Sequence, residues 1–266
     1  MTSPRVRLGA VSYLNTRPLI YGLEQSPRFD IRFDVPSRCA ELLHAGGIDV
    51  GLIPSIEYLR GDAYRIVPGL SLASRGAVAS VALYTSKPIG DVRSIALDTS
   101  SRTSVALVAI LCARLFRIAP RTVPHAPDLQ PMPAGCDAAL LIGDNALFLD
   151  HRAAGLTKID LGEEWLRLTG LPFVYAFWAG RAGALSQSDV ETLQRARDAG
   201  VRSPEEVARR MYPDDAFRQD VAVRYLRDNM RYDLGRDERA GLTLFYRNAA
   251  ELGLVDRERE LLFYEQ

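Results

Sequence analysis

No block of like charge runs through this chain, and its 33 acidic side chains balance its 33 basic ones. A surface that tracks nucleic-acid phosphates needs a local basic excess, so the balance argues against a nucleic-acid partner. Long hydrophobic runs are missing too. The longest apolar segment, residues 105–116, is interrupted by Arg114 and falls far short of the about 20 residues that cross a bilayer. Residues 1–9 carry Arg5 and Arg7 where a secretion signal has its apolar stretch, which points to a cytoplasmic protein with no membrane anchor. Cysteine is scarce: Cys39, Cys112 and Cys136 are widely spaced and form no CxxC or Cys/His grouping of metal spacing. Reduced thiols and no metal centre are expected.

Histidine is equally scarce. His44 ends a helical stretch, where an imidazolium pairs with terminal carbonyls; His125 follows Val123-Pro124 in a loop, and His151 lies in a polar turn. None is well placed as a general base. The dinucleotide, P-loop, zinc-protease and nucleophile-elbow patterns are all absent, and Gly46-Gly47 reads as a helix C-cap rather than a phosphate loop.

What is present is a repeated strand-then-helix rhythm. Strand signals cover residues 6–11, 29–35, 49–53, 78–84, 95–97, 122–124, 138–142 and 171–179, with helical stretches between them, the pattern of a parallel sheet flanked by helices. With 266 residues, 47% of them hydrophobic, the chain can bury one large core or two smaller ones. Beyond residue 181 it becomes helical; Ser188 with Glu191 and Ser203 with Glu206 read as capping boxes, and Tyr225 falls among apolar residues at core-like helical spacing.

The most informative stretch is Ser100-Ser101-Arg102-Thr103-Ser104, between a strand and an apolar helix. A helix start offers unpaired N–H groups and partial positive charge, so hydroxyls and a guanidinium there suit a carboxylate or phosphate. Each Ser or Thr alone is more often a cap than a ligand. Polar loops at four strand ends, residues 12–17, 54–57, 100–104 and 143–145, shift the balance, because open α/β sheets bind ligands at the carboxyl ends of their strands. The expected ligand is a small organic anion.

Taken together, residues 11–19 (VSYLNTRPL), 49–54 (DVGLIP), 100–104 (SSRTS), 138–144 (AALLIGD) and 169–174 (TGLPFV) with Trp178 resemble the chorismate dehydratases of the futalosine route to menaquinone. The resemblance implies a two-lobed α/β fold like the type II periplasmic binding proteins, with a ligand cleft between the lobes. Lobe one would comprise residues 1–86 and 180–266 and lobe two residues 87–179, with hinge strands over 81–86 and 174–181. It also implies conversion of chorismate to 3-(1-carboxyvinyloxy)benzoate and water, a lyase reaction without metal or organic cofactor.

Asn15 and Ser80 are then the candidate catalytic residues, and Arg17, Ser101, Arg102, Thr103, Ser104, Gly143 and Asp144 the candidate substrate contacts. Glu57 and Asp144 are the only carboxylates in the four strand-end loops, so the substrate's own enolpyruvyl carboxylate is the expected base. Two rivals remain: a 1,4-dihydroxy-6-naphthoate synthase of the same fold, which would want a histidine in the cleft, and a solute-binding protein that captures anions without chemistry. Monomer and homodimer stay open.

Overall fold

A computed structural model describes residues 5–61, 63–126 and 135–265. The chain begins with β1 (Val6–Val11), whose apolar residues are buried on both faces, and a 3₁₀ helix over Leu14–Ile20. Half-exposed β2 (Phe29–Asp34) leads into α1 (Pro36–His44), opened by proline in its first turn, then to fully buried β3 (Val50–Pro54) and a second 3₁₀ helix, Ser55–Leu59. Short strands β4 (Arg65–Ile66) and β5 (Leu72–Ser74) follow.

The next segment builds a different layer. It holds β6 (Val81–Thr85), β7 (Ser94–Asp98), α2 (Arg102–Leu111), β8 (Arg121–His125), β9 (Ala138–Ile142), α3 (Gly143–Leu147), β10 (Thr157–Asp160) and α4 (Leu161–Thr169). Strand β11 (Phe173–Gly180) then returns to the first layer. Helices α5 (Gln187–Val201), α6 (Pro204–Met211), α7 (Ala216–Arg224) and α8 (Arg236–Glu251) complete the chain, with a π turn, Tyr225–Asn229, continuing α7.

Among the described residues the strands form two sheets, one in the order β2-β1-β3-β11-β4 with β5 alongside β11, the other in the order β10-β6-β9-β7-β8. In the first, β1 runs parallel to β2 and β3, while β11 is antiparallel to β3, β4 and β5. In the second, β7 is parallel to β8 and β9, and β6 is antiparallel to β9 and β10. Strands β3, β6, β7 and β9 are buried along their whole length, as sheets covered on both faces require.

Among the described residues β6 pairs within the second sheet and β11 within the first, so the chain crosses between layers just before Val81 and just before Phe173. An apolar run signals a buried strand but not which sheet it joins. Short β4, β5 and β10 lack the length to show in the sequence pattern.

Local capping also differs. Helix α5 starts two residues earlier than expected, its capping box being Ser186 with Asp189, and Ser203 makes no side-chain cap at α6. The stretch after β1 is the 3₁₀ segment at Leu14–Ile20, which packs on α5 where Gly200 meets Pro18. A Cβ on Gly200 would lie 2.3 Å from the Pro18 carbonyl oxygen, so only glycine permits that contact. His44 does not engage helix-end carbonyls; its imidazole meets Tyr64 and Glu57 instead.

Candidate functional site

The loop after β1 and the strand ends of the second sheet face each other across a small cavity. Its walls include Tyr13, Asn15, Pro36, Pro54, Ser80, Ser101, Ser104, Gly143 and Tyr175. The volume is about 50 Å³, room for ordered water rather than a substituted six-membered ring. These tips are therefore in a closed arrangement.

Each polar tip has its own local cause. Ser101 is the N-cap of α2, accepting from the Ser104 N–H, and the two hydroxyls lie 2.7 Å apart, so both sit at the positive end of a ten-residue helix. Gly143 adopts φ +62°, and a Cβ there would lie 2.8 Å from the Tyr13 ring, so glycine lets Tyr13 lie flat against the end of β9. The Tyr13 hydroxyl bonds to Ser100, and burial pushes it up to about 12.

Ser80 is presented by a strained turn. Its N–H donates to the Val78 carbonyl at 2.8 Å across Ala79, which has φ +63°, an uncommon conformation for a residue with a Cβ. Asp160 holds this turn by accepting from the N–H groups of Val78 (2.9 Å) and Ala79 (2.7 Å) while also capping α4. Lys158 donates to the Ala79 carbonyl at 2.5 Å. Such strain of about 1–3 kcal/mol persists only where surrounding contacts over-determine it, and it clusters at functional sites.

Asn15 lines the cavity with its Oδ1 buried and lacking a hydrogen-bond partner among the described residues. Its side chain reaches the hydroxyl of Tyr225, which also lies 2.7 Å from Ser80 Oγ. Burial keeps the phenols of Tyr175 and Tyr225 protonated well above their ordinary range.

The remaining expected contacts lie elsewhere. Arg102 turns away from the cavity, donating to Glu57 and Glu41, both at 2.9 Å. Arg17 stacks 4.6 Å from the Phe33 ring centroid and pairs with Glu24 at 3.6 Å. Thr103 is fully buried; its hydroxyl accepts from the Ile56 N–H and lies 3.4 Å from Ser55 Oγ, a strut against the first layer. Asp144 accepts from the Leu14 N–H at 3.1 Å and the Tyr212 hydroxyl at 3.2 Å. Burial raises its carboxyl, although these donors and Arg17 and Arg218 oppose the shift. In this arrangement Arg102, Thr103 and Asp144 brace the two layers, and Arg17 is held within the first.

Glu57 is likewise committed. Burial alone would raise its carboxyl, but His44, Arg102 and Arg60 together hold it below the usual range. No carboxylate or imidazole is therefore among the described residues that line the cavity. A larger cavity of about 630 Å³ beside α2 is lined mainly by apolar side chains and shares only Arg102 with the expected site, so the smaller cleft is the better candidate. No group of three or more His, Cys, Asp or Glu is placed to hold a metal ion among the described residues.

Sequence reasoning missed Tyr13, Tyr175 and Tyr225 as site residues. Tyr13 stood in a quoted motif and Tyr175 follows another, whereas Tyr225 carried no distinguishing signal.

Among solved structures, a protein of Archaeoglobus fulgidus matches with TM-score 0.76 at 18% identity, covering 96% of this chain and 100% of that one. The alkanesulfonate-binding protein SsuA of Xanthomonas axonopodis pv. citri, bound to MOPS, matches with TM-score 0.67 at 15% identity, over 96% of this chain and 94% of that one. The periplasmic aliphatic sulphonate binding protein SsuA of Escherichia coli matches with TM-score 0.61 at 16% identity, over 100% and 96%. The fold is that of the periplasmic binding proteins, as the resemblance implied. In sequence, the chain is 32% identical over 267 aligned positions to the chorismate dehydratase of Thermus thermophilus, covering 93% of this chain and 95% of that protein. A family model described as menaquinone biosynthesis matches residues 6–251, and the chain belongs to that family.

Proposed function

We propose that this protein is a chorismate dehydratase, removing water from chorismate to give 3-(1-carboxyvinyloxy)benzoate. The observation that carries the reading is the convergence, in one cavity, of Asn15 with the hydroxyls of Ser80, Ser101 and Ser104, in a chain so similar to a protein of that name. Chorismate carries two carboxylates. The start of α2, with Ser101 and Ser104, suits the ring carboxylate, where backbone N–H groups and hydroxyls oppose negative charge.

The proton to be lost sits on the ring carbon bearing the enolpyruvyl ether and is vinylogous to that carboxylate. Its removal pushes charge onto the carboxylate held at the helix start, which stabilises the carbanion-like transition state. The hydroxyl on the neighbouring carbon then leaves as water, and the ring becomes aromatic. With no carboxylate or imidazole among the described lining residues, the substrate's enolpyruvyl carboxylate takes the proton and returns it to the departing hydroxyl, so that one C–H and one C–O bond break and one water forms. The protein's contribution is orientation, worth up to about 7–11 kcal/mol in well-aligned systems.

The closed cavity requires the two layers to separate for the ligand to enter, breaking contacts such as Asp144 to Leu14 and Arg102 to Glu57. The test is incubation with chorismate while following aromatic ultraviolet absorption, with product identified by mass. New absorbance at the mass of chorismate less one water is expected. Chorismate bound but unchanged would overturn dehydration in favour of simple anion capture.

A further inference from the structure

Tyr225 begins the π turn that continues α7, and wide turns of this kind recur at functional sites. Its ring is buried, and its hydroxyl lies 2.7 Å from Ser80 Oγ, a residue 145 positions away, as well as within reach of Asn15. Both partners line the cavity, Asn15 from the loop after β1 and Ser80 from the crossing between layers.

The order of donors along this chain follows from hydrogen-bond capacity. Asn15 Oδ1 has no partner among the described residues, and the Asn15 side chain bears on the Tyr225 phenol, so the NH₂ is the group of the amide with a proton to offer the phenol oxygen. Ser80 Oγ and the phenol lie 2.7 Å apart and either can donate; with the Asn15 amide donating to the phenol oxygen, the order that uses every proton has the phenol donating to Ser80 Oγ. Ser80, having accepted at its oxygen, keeps its own proton to offer into the cavity, while Asn15 keeps Oδ1 as an acceptor there.

We propose that Tyr225 is a positioning residue that sets the hydrogen-bond polarity of the site, making Ser80 a donor and Asn15 an acceptor toward a single alcohol of the substrate. A substrate C–OH held this way donates a hydrogen bond to Asn15 Oδ1 and accepts one from the Ser80 hydroxyl. The latter bond strengthens as the C–O bond breaks and negative charge grows on the departing oxygen. The inference rests on the dehydratase reading and extends it: the C-terminal helices contribute to leaving-group departure as well as to scaffold.

Tyr225→Phe retains the ring and removes only the relay. The variant is expected to keep wild-type circular dichroism and a Tm close to wild type. Its kcat with chorismate should fall about 10- to 100-fold, as for other groups that orient a contacting residue, with KM little changed. In a cycle with Ser80→Ala, the double variant should be no slower than S80A alone, because the two hydroxyls act as one unit. A kcat equal to wild type in Y225F, or losses that multiply in the double variant, would overturn the proposal.

Should Y225F not fold, 3-fluorotyrosine placed at position 225 preserves shape while making the phenol more acidic. A changed kcat at constant KM then supports the relay, and an unchanged kcat overturns it. Wild-type protein that leaves chorismate unchanged overturns the dehydratase reading itself, whereas wild-type turnover with an unaffected Y225F overturns only the role of Tyr225.

Discussion

Glu57 ties the two layers together through Arg102, and replacing it with glutamine tests that tie. The carboxylate is 1% exposed; Oε1 receives Arg60 at 2.6 Å, and Oε2 receives Arg102 at 2.9 Å and His44 at 3.1 Å. Glutamine has the same shape but turns one acceptor into a donor, so a guanidinium N–H then faces an N–H. Breaking a buried pair by removing one charge costs about 3–5 kcal/mol, and the lower end applies here because the partners reach solvent. At about 2–4 °C per kcal/mol for a chain of this size, Glu57→Gln should lower Tm by about 6–12 °C.

The pH dependence supplies the sharper check. Because the folded carboxyl is held below its unfolded value of about 4.3, its stabilisation is complete above that pH and is lost as pH falls through the folded value. The Tm gap between wild type and variant should therefore be widest near neutrality and close below about pH 4. Thermal unfolding followed by circular dichroism across that range reads both effects. A gap under about 2 °C at pH 7, well under the destabilisation expected per kcal/mol, would refute the reasoning, as would a gap that does not narrow in acid.

Asn15→Asp puts a carboxylate beside a dianionic substrate; at about 4 Å and an effective dielectric constant of about 20 this costs about 4 kcal/mol, so kcat/KM for chorismate should drop about a thousandfold. Recovery of activity at low pH, where the new carboxyl is protonated, would accompany the loss. Gly143→Ala demands a left-handed backbone with a Cβ and drives Tyr13 aside. It should lose at least about 1–2 kcal/mol in urea unfolding, together with turnover. His125→Ala, outside the cavity lining, should leave kcat within a few-fold of wild type; loss of turnover in the folded variant would sink the substrate-as-base mechanism.

The parts of this site legible in sequence are those whose cause is local. A run such as Ala138 to Ile142 is buried on both faces wherever it sits, and Ser101 caps α2 because the helix begins there. The arginines are less legible for the opposite reason. A guanidinium beside a site motif suits an anion, but Arg102 finds Glu57 and Glu41 on the facing layer and Arg17 finds Phe33, and those partners depend on docking that no local pattern encodes. Ala79 carried no turn signal because alanine has none for a positive φ; the conformation is imposed by Asp160 and Lys158 from β10, far along the chain.

Tyr225 shows why the last component escapes a one-dimensional reading. Its ring satisfies the helical spacing of a core residue, and the body of the side chain does pack as one. What distinguishes it is a single oxygen at the far end of the ring, whose partners lie in two other segments. A phenylalanine would leave the periodicity untouched and the cavity without a hydrogen-bond order. Chemistry at a boundary between layers is therefore set by polar tips on otherwise apolar side chains, and those tips acquire meaning only after the layers have met.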